Sequence, residues 1–466
     1  KLFHRFVNFD FHILIYKKTP FLIRVLFYFT IFWHIFFITF KKTSSIMDKR
    51  DFIKKISLAA LATPLYSSSL NTSLKNVSNY SASKLAAKED FWLKVRQDYK
   101  LKPDYINLES GYYNIIPTPT LDAMIKHAKM VNYQGSFYMR TVQWDNKKRM
   151  SEKLANILGS TAKNVIITRN TTESLDMVIK GMDWNIGDEA IYAEQDYGAM
   201  KVMFEQVAKR FSTVNKIVSI PNHPKSDDDI VEIYAKAITP KTKLLMVCHM
   251  INITGQILPV KKICQMAHKK GVQVMVDGAH CVGHFNFNIE DLECDYYGSS
   301  LHKWLAVPLG VGMLYVKDKH IDTLWPLFAD YNQEPGNIVK LNHTGTLPVH
   351  HDLTIENAID YYNMLGADRK EKRMRYLQEY WTSKVRNYSD IIVNTPLDSH
   401  RACGIANVGI ASMTPKELAE RLMSKYKIFT VAINYANVKG CRISPNVFTT
   451  LEELDVLVNA LKEMAA

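Results

Sequence analysis

Side chains able to do chemistry stand in this sequence where short apolar runs end. Lys303 follows one such run, in Ser299-Ser300-Leu301-His302-Lys303-Trp304. Burial among apolar neighbours lowers a lysine pKa and frees the amine as a nucleophile. Asp277 ends another run, in Val276-Asp277-Gly278-Ala279-His280. A carboxylate set against low dielectric needs a cationic partner or a metal. His280 is the nearest second ligand for a metal, and it suits hydrogen bonding to a ring equally well. Arg169-Asn170-Thr171-Thr172-Glu173-Ser174 brings two hydroxyls and free backbone N–H groups to an expected helix start. Such a start is either a phosphate site or a plain helix cap. Tyr197, before Gly198, is either a platform for a flat ring or a packing aromatic. Asn252 either donates to a ligand oxygen or closes a turn. The six cysteines contain no Cys-x-x-Cys pair, and no metal site is expected.

The elements that must position these residues follow from the apolar pattern. Short β-rich runs cover 165–168, 190–193, 216–220, 244–248, 272–276, 296–298 and 311–316. Helix-length amphipathic stretches separate them, at 172–181, 198–211, 228–238 and 260–270. Strands alternating with helices imply an α/β fold with a mainly parallel sheet covered on both faces. Ligands then bind at the carboxyl ends of the strands, where the residues above fall. From about residue 352 the pattern changes to one long helix over 353–388, weaker strands, and a last helix over 450–464.

Composition narrows the classes. Of 466 residues, 47% are hydrophobic and 23% charged, which excludes a disordered or collagenous chain. The net charge of +13 is uneven. Residues 1–46 hold Lys1, Arg5, Lys17, Lys18, Arg24, Lys41 and Lys42 against Asp10 alone, and so carry nearly half of it. The remainder is spread thinly, with no basic stripe of the kind nucleic-acid binding uses. Residues 21–40 are apolar enough to cross a bilayer, although Arg24 and His34 interrupt them. Residues 1–46 are therefore either a membrane anchor or an upstream extension ahead of a start at Met47. After Met47 comes Lys49-Arg50-Asp51-Phe52-Ile53-Lys54, then an apolar stretch over 56–65 and a Ser-rich linker reaching residue 88. This pattern resembles a twin-arginine export signal, with Lys for the first Arg. It implies export to a periplasm; membrane anchoring and a cytoplasmic location are the alternatives.

Together, a phosphate cradle, a ring platform, a buried aspartate and a nucleophilic lysine match the needs of pyridoxal phosphate. The motifs RNTTESL (169–175), DYGAM (196–200), HMINITGQ (249–256), VDGAH (276–280), SSLHKWL (299–305) and CRISPNVFTTLEELD (441–455) carry a resemblance. Over residues 100–466 the chain is similar to the class V aminotransferase family of fold-type I pyridoxal-phosphate enzymes. Within it, the isopenicillin N epimerase-like branch is most similar; cysteine desulfurases are part of the same family. The resemblance implies a seven-stranded sheet in a large domain at 118–350 and a smaller α+β domain at 351–466. The segment 89–117 is expected to pack on the small domain.

On that resemblance, Thr171 and Thr172 bind the phosphate, Ser300 and His302 contact it, and Tyr197 stacks on the ring. Asn252 and His280 lie near the ring hydroxyl, Asp277 pairs with the ring nitrogen, and Lys303 carries the aldimine. Arg442 matches the arginine that clamps a substrate carboxylate, a task for its planar fork. The family implies a homodimer with a shared site, in which Thr346 of the Gly345-Thr346 turn reaches the partner's phosphate. It also implies an amino-acid substrate held as an external aldimine and an epimerase or aminotransferase outcome. The alternatives are a cysteine desulfurase, selenocysteine lyase or other C–S β-lyase, and a non-catalytic cofactor-binding protein. Residues 430–440 contain neither the cysteine nor the second arginine that a desulfurase would show there.

Overall fold

The computed structural model describes residues 73–328 and 333–466. The apolar stretch at 21–40 and the export-like segment at 49–54 lie outside the described residues. Residues 82–86, expected to close a linker, form a short helix, Ala82–Ala86, that buries Leu85 and Ala86. A second helix, Glu89–Arg96, follows and buries Trp92.

The first strand, β1, is short (Ile106–Asn107). Seven later strands make the central sheet. They are β2 (Val165–Thr168), β3 (Glu189–Ala193), β4 (Val214–Val218), β5 (Thr242–Cys248), β6 (Gln273–Asp277), β7 (Tyr296–Ser300) and β8 (Gly312–Val316). Their order is β2-β8-β7-β6-β5-β3-β4. Every pairing from β7 through β6, β5 and β3 to β4 is parallel, and only β8 runs against its neighbours. The α/β architecture expected from the alternation is therefore the one present.

The strands carry apolar residues on both faces because helices cover both. Alternate residues serve different sides: Leu245 and Val247 enter one core cluster, Leu244 and Met246 the other. This is the two-residue period of a strand. The edge strand β4 is half-exposed and starts two residues earlier than its pattern suggested.

Beyond the sheet, the long helix expected over 353–388 is two helices, Val349–Leu365 and Ala367–Ser383. Gly366 between them adopts φ +92°, which a right-handed helix does not allow. A four-stranded antiparallel sheet follows, from β9 (Ile391–Val393), β10 (Ala406–Ile410), β12 (Val431–Tyr435) and β13 (Val438–Ile443) in the order β12-β13-β10-β9. The remaining strand, β11 (Ile428–Phe429), pairs in parallel with β1. The early segment is thus hydrogen-bonded to the last third of the chain. Arg96 also pairs with Glu453 at 2.7 Å, and Arg373 donates to the Ala86 carbonyl at 2.9 Å.

Candidate active site

The cleft forms where β2, β3, β5, β6 and β7 end. Asn170 caps the helix Thr171–Gly181, its side chain accepting from Glu173 N at 2.9 Å. The Thr171 hydroxyl lies 2.7 Å from that of Ser300, which also accepts from Thr171 N at 3.0 Å. Ser300 is the last residue of β7, so the helix start and the strand end are joined there.

Asp277 closes β6 and is buried, with Oδ1 accepting from Ala279 N at 2.9 Å. Burial pushes its carboxyl up, and Lys303 opposes that shift. At Gly278 a Cβ would stand 2.0 Å from the Tyr297 ring, so glycine is what lets β6 and β7 meet beside Asp277.

Lys303 follows β7, and its Nζ lies 3.1 Å from Nε2 of His280. Desolvation in the cleft pushes the amine down to about 8; Asp277 opposes this and Arg442 adds to it. His280 is also buried. Burial first, then Lys303 and Arg442, hold it well below the usual histidine range, so it is neutral. Trp304 donates its indole N–H to His280 Nδ1 at 3.3 Å. An indole nitrogen only donates, so Nδ1 is bare and the ring proton sits on Nε2. That N–H faces Lys303 Nζ, which can accept it only once the amine has lost its proton. Desolvation, with Lys303 adding to it, pushes His302 down to about 4.

Arg442 arrives from β13 of the small sheet. Its Nη1 donates to the Asn252 carbonyl at 3.2 Å. Its other edge meets Glu109, Nε donating to Oε2 at 3.1 Å and Nη2 to Oε1 at 2.5 Å.

Thr171, Thr172, Tyr197, Asn252, Asp277, His280, Ser300, His302, Lys303 and Arg442 all line one cavity of about 290 Å³. That is the lower end of the range for small-molecule sites. Tyr197 is 47% exposed there, at the start of the helix Gly198–Phe211. Thr346 is elsewhere: it is exposed and borders a second cavity of about 220 Å³ with Lys147 and Asp352. Sequence reasoning missed Glu109, Gly111, Tyr112 and Cys248, which the structure brings to or beside the first cavity. Glu109 sits in a segment with no periodic pattern; its one signal is a charge between Leu108 and Ser110 next to a glycine.

Hydroxyls at a helix start suit a phosphate, and an amine held near neutrality suits a carbonyl carbon. A ligand that carries both groups on a ring with a basic nitrogen is pyridoxal phosphate, and the residues present fit it. The fold and the cleft thus define the class, a fold-type I pyridoxal-phosphate enzyme. A model of the aminotransferase class-V family matches residues 115–457, and the chain belongs to that family.

Three comparisons place it further. The chain is 27% identical over 400 residues to an isopenicillin N epimerase of Amycolatopsis lactamdurans, covering 80% of this chain and 98% of that protein. It is 24% identical over 384 residues to a probable cysteine desulfurase of Halalkalibacterium halodurans, covering 77% and 92%. Among solved structures, a lysine-to-alanine variant of C-DES with glycine covalently linked to its pyridoxal-phosphate cofactor superposes with a TM-score of 0.71 at 20% identity. That match covers 78% of this chain and 98% of that one.

Proposed function

We propose that this enzyme acts on the primary amine of an amino acid or of a small amine-bearing substrate. It moves a proton at the carbon that bears the amine, with epimerisation or transamination as the outcome. The observation that carries this reading is Lys303: its amine, pushed down to about 8, gives up its proton more readily than a free lysine and lies in one cleft with Asp277 and a hydroxyl-lined helix start. Pyridoxal phosphate, when bound, supplies an aldehyde that captures an amine and a ring that accepts the electron pair left by the departing proton. Thr171, Thr172, Ser300 and His302 would hold its phosphate, and Tyr197 would cover a ring face. Asn252 and the Nε2–H of His280 would serve the ring hydroxyl, and the Asp277 carboxylate would keep a proton on the ring nitrogen. Lys303 Nζ would take the proton from the substrate carbon; a proton delivered to the opposite face of that carbon would give epimerisation, and one delivered to the cofactor carbon would give transamination. Arg442 orients the substrate.

A second reading, cleavage of a carbon–sulfur bond, draws on the relatives named as cysteine desulfurases. A persulfide carried on this chain is disfavoured. All six cysteines are buried. Cys441, next to Arg442, donates to the Pro415 carbonyl, and burial pushes its thiol up to about 11. A thiol so placed does not form the reactive thiolate. A C–S lyase that needs no carrier thiol fits the same residues. We also propose a homodimer and export through the segment after Met47.

The test is absorption spectroscopy of the cofactor-loaded protein titrated with L- and D-amino acids, followed by product analysis. The expected result is a visible band that particular amines shift, with racemised or transaminated product and no sulfide from cysteine. Lys303→Ala should lose turnover by about 10³-fold or more. Multiple turnover retained by that variant would remove Lys303 from its role, and sulfide release would favour the second reading.

A further inference from the structure

The least expected contact in the cleft joins Glu109 to Arg442. Both side chains are buried, 5% and 7% exposed. The carboxylate grips one edge of the guanidinium at two points, 3.1 and 2.5 Å, while the Asn252 carbonyl takes a third N–H at 3.2 Å. A guanidinium has five N–H donors, so two are left for a ligand. Glu109 is itself held: Tyr112 N donates to Oε1 at 2.9 Å and the Ser444 hydroxyl to Oε2 at 3.2 Å. Gly111 passes against the guanidinium so closely that a Cβ there would stand 3.1 Å from Cζ. The turn 109–112 is shaped around the arginine.

An arginine clamps a carboxylate by presenting two parallel N–H donors and its positive charge to it. Here one edge already holds a carboxylate. A second carboxylate at the two remaining donors would lie beside Glu109 in a poorly screened cleft, where like charges repel. We propose that Glu109 is the specificity-determining residue of this site. It offsets the charge of Arg442 and turns the cleft toward primary amines whose neighbouring group is uncharged, such as an amide, an ester or an alcohol, and away from free α-carboxylates. This rests on the pyridoxal-phosphate reading above and narrows its substrate class.

Two reagents that attack the same aldehyde carbon test it without knowledge of the substrate side chain. Aminooxyacetate carries a carboxylate and O-methylhydroxylamine carries none. Loss of the visible band of the cofactor-loaded protein gives a rate constant for each, and their ratio is normalised to that with free pyridoxal phosphate. In the native protein the normalised ratio should lie within about threefold of unity. Glu109→Gln should raise it in favour of aminooxyacetate by roughly tenfold or more. Adding Arg442→Gln to that variant should return it to the native value. A native ratio already tenfold in favour of aminooxyacetate, or a Glu109→Gln ratio within about twofold of native, overturns the proposal. If Glu109→Gln does not fold, the doubly neutral variant decides: a ratio equal to native supports the proposal, and a roughly tenfold fall overturns it. A protein that develops no visible band overturns the cofactor reading itself, whereas a band with an unmoved ratio overturns only the role of Glu109.

Discussion

Trp304 donates to Nδ1 of His280 at 3.3 Å, which leaves Nε2 as the ring's only N–H. That N–H meets Lys303 Nζ at 3.1 Å and stabilises the amine in its neutral form, in the same direction as desolvation. The indole is held in turn by stacking on His284, with ring centres 3.8 Å apart and planes 15° from parallel. The neutral amine is the form that attacks a carbonyl carbon. The rate at which the cofactor-free protein takes up pyridoxal phosphate should therefore rise with pH and level off above about 8. Trp304→Phe frees the imidazole to turn its bare nitrogen toward Lys303 and accept from the charged ammonium. Its midpoint should move to higher pH by roughly one unit. A stopped-flow pH series checks this, and a midpoint that stays put in Trp304→Phe removes the tautomer lock.

At the scale of elements, β2, β6 and β7 bring groups to the cleft at or just past their ends, and the connection after each strand sets their direction. β6 ends in Asp277, β7 ends in Ser300 with Lys303 three residues on, and β2 leads into the capped helix that carries Thr171. The break at Gly366 does a different job. It turns the chain between helices that pack on different neighbours: Val349–Leu365 against the helix Thr118–Gln134, and Ala367–Ser383 against the early helix Ala82–Ala86. Gly366 has φ +92° and ψ +123°, outside the range of residues with a Cβ. Gly366→Ala should cost about 1–3 kcal/mol of stability, read from denaturant unfolding, with the visible band of the loaded protein retained. A midpoint equal to native would mean that the turn is not conformationally constrained.

The whole molecule leaves large aromatic side chains in water. Tyr133 is 91% exposed, Phe137 64% and Trp144 58%, and the cavity that Thr346 borders is lined partly by Trp144. Contiguous apolar surface marks interfaces, and the homodimer proposed above would cover these side chains. Sedimentation of the cofactor-loaded protein at micromolar concentration should give twice the chain mass, and Trp144→Asp should yield monomers with weakened cofactor retention. A native monomer that retains the cofactor fully would remove the shared-site reading. The sequence by itself determined the α/β alternation and the placement of Thr171, Asp277, Ser300 and Lys303 at the ends of strands or just beyond. Those features are local: an apolar run, a turn and a polar residue lie within a few positions of one another. The tertiary structure alone decided that Glu109 grips Arg442 across 333 positions and that Trp304 sets the proton of His280. It also decided where the expected long helix breaks. Such contacts depend on how separate sheets and helices settle against each other, and no periodicity along the chain encodes that distance.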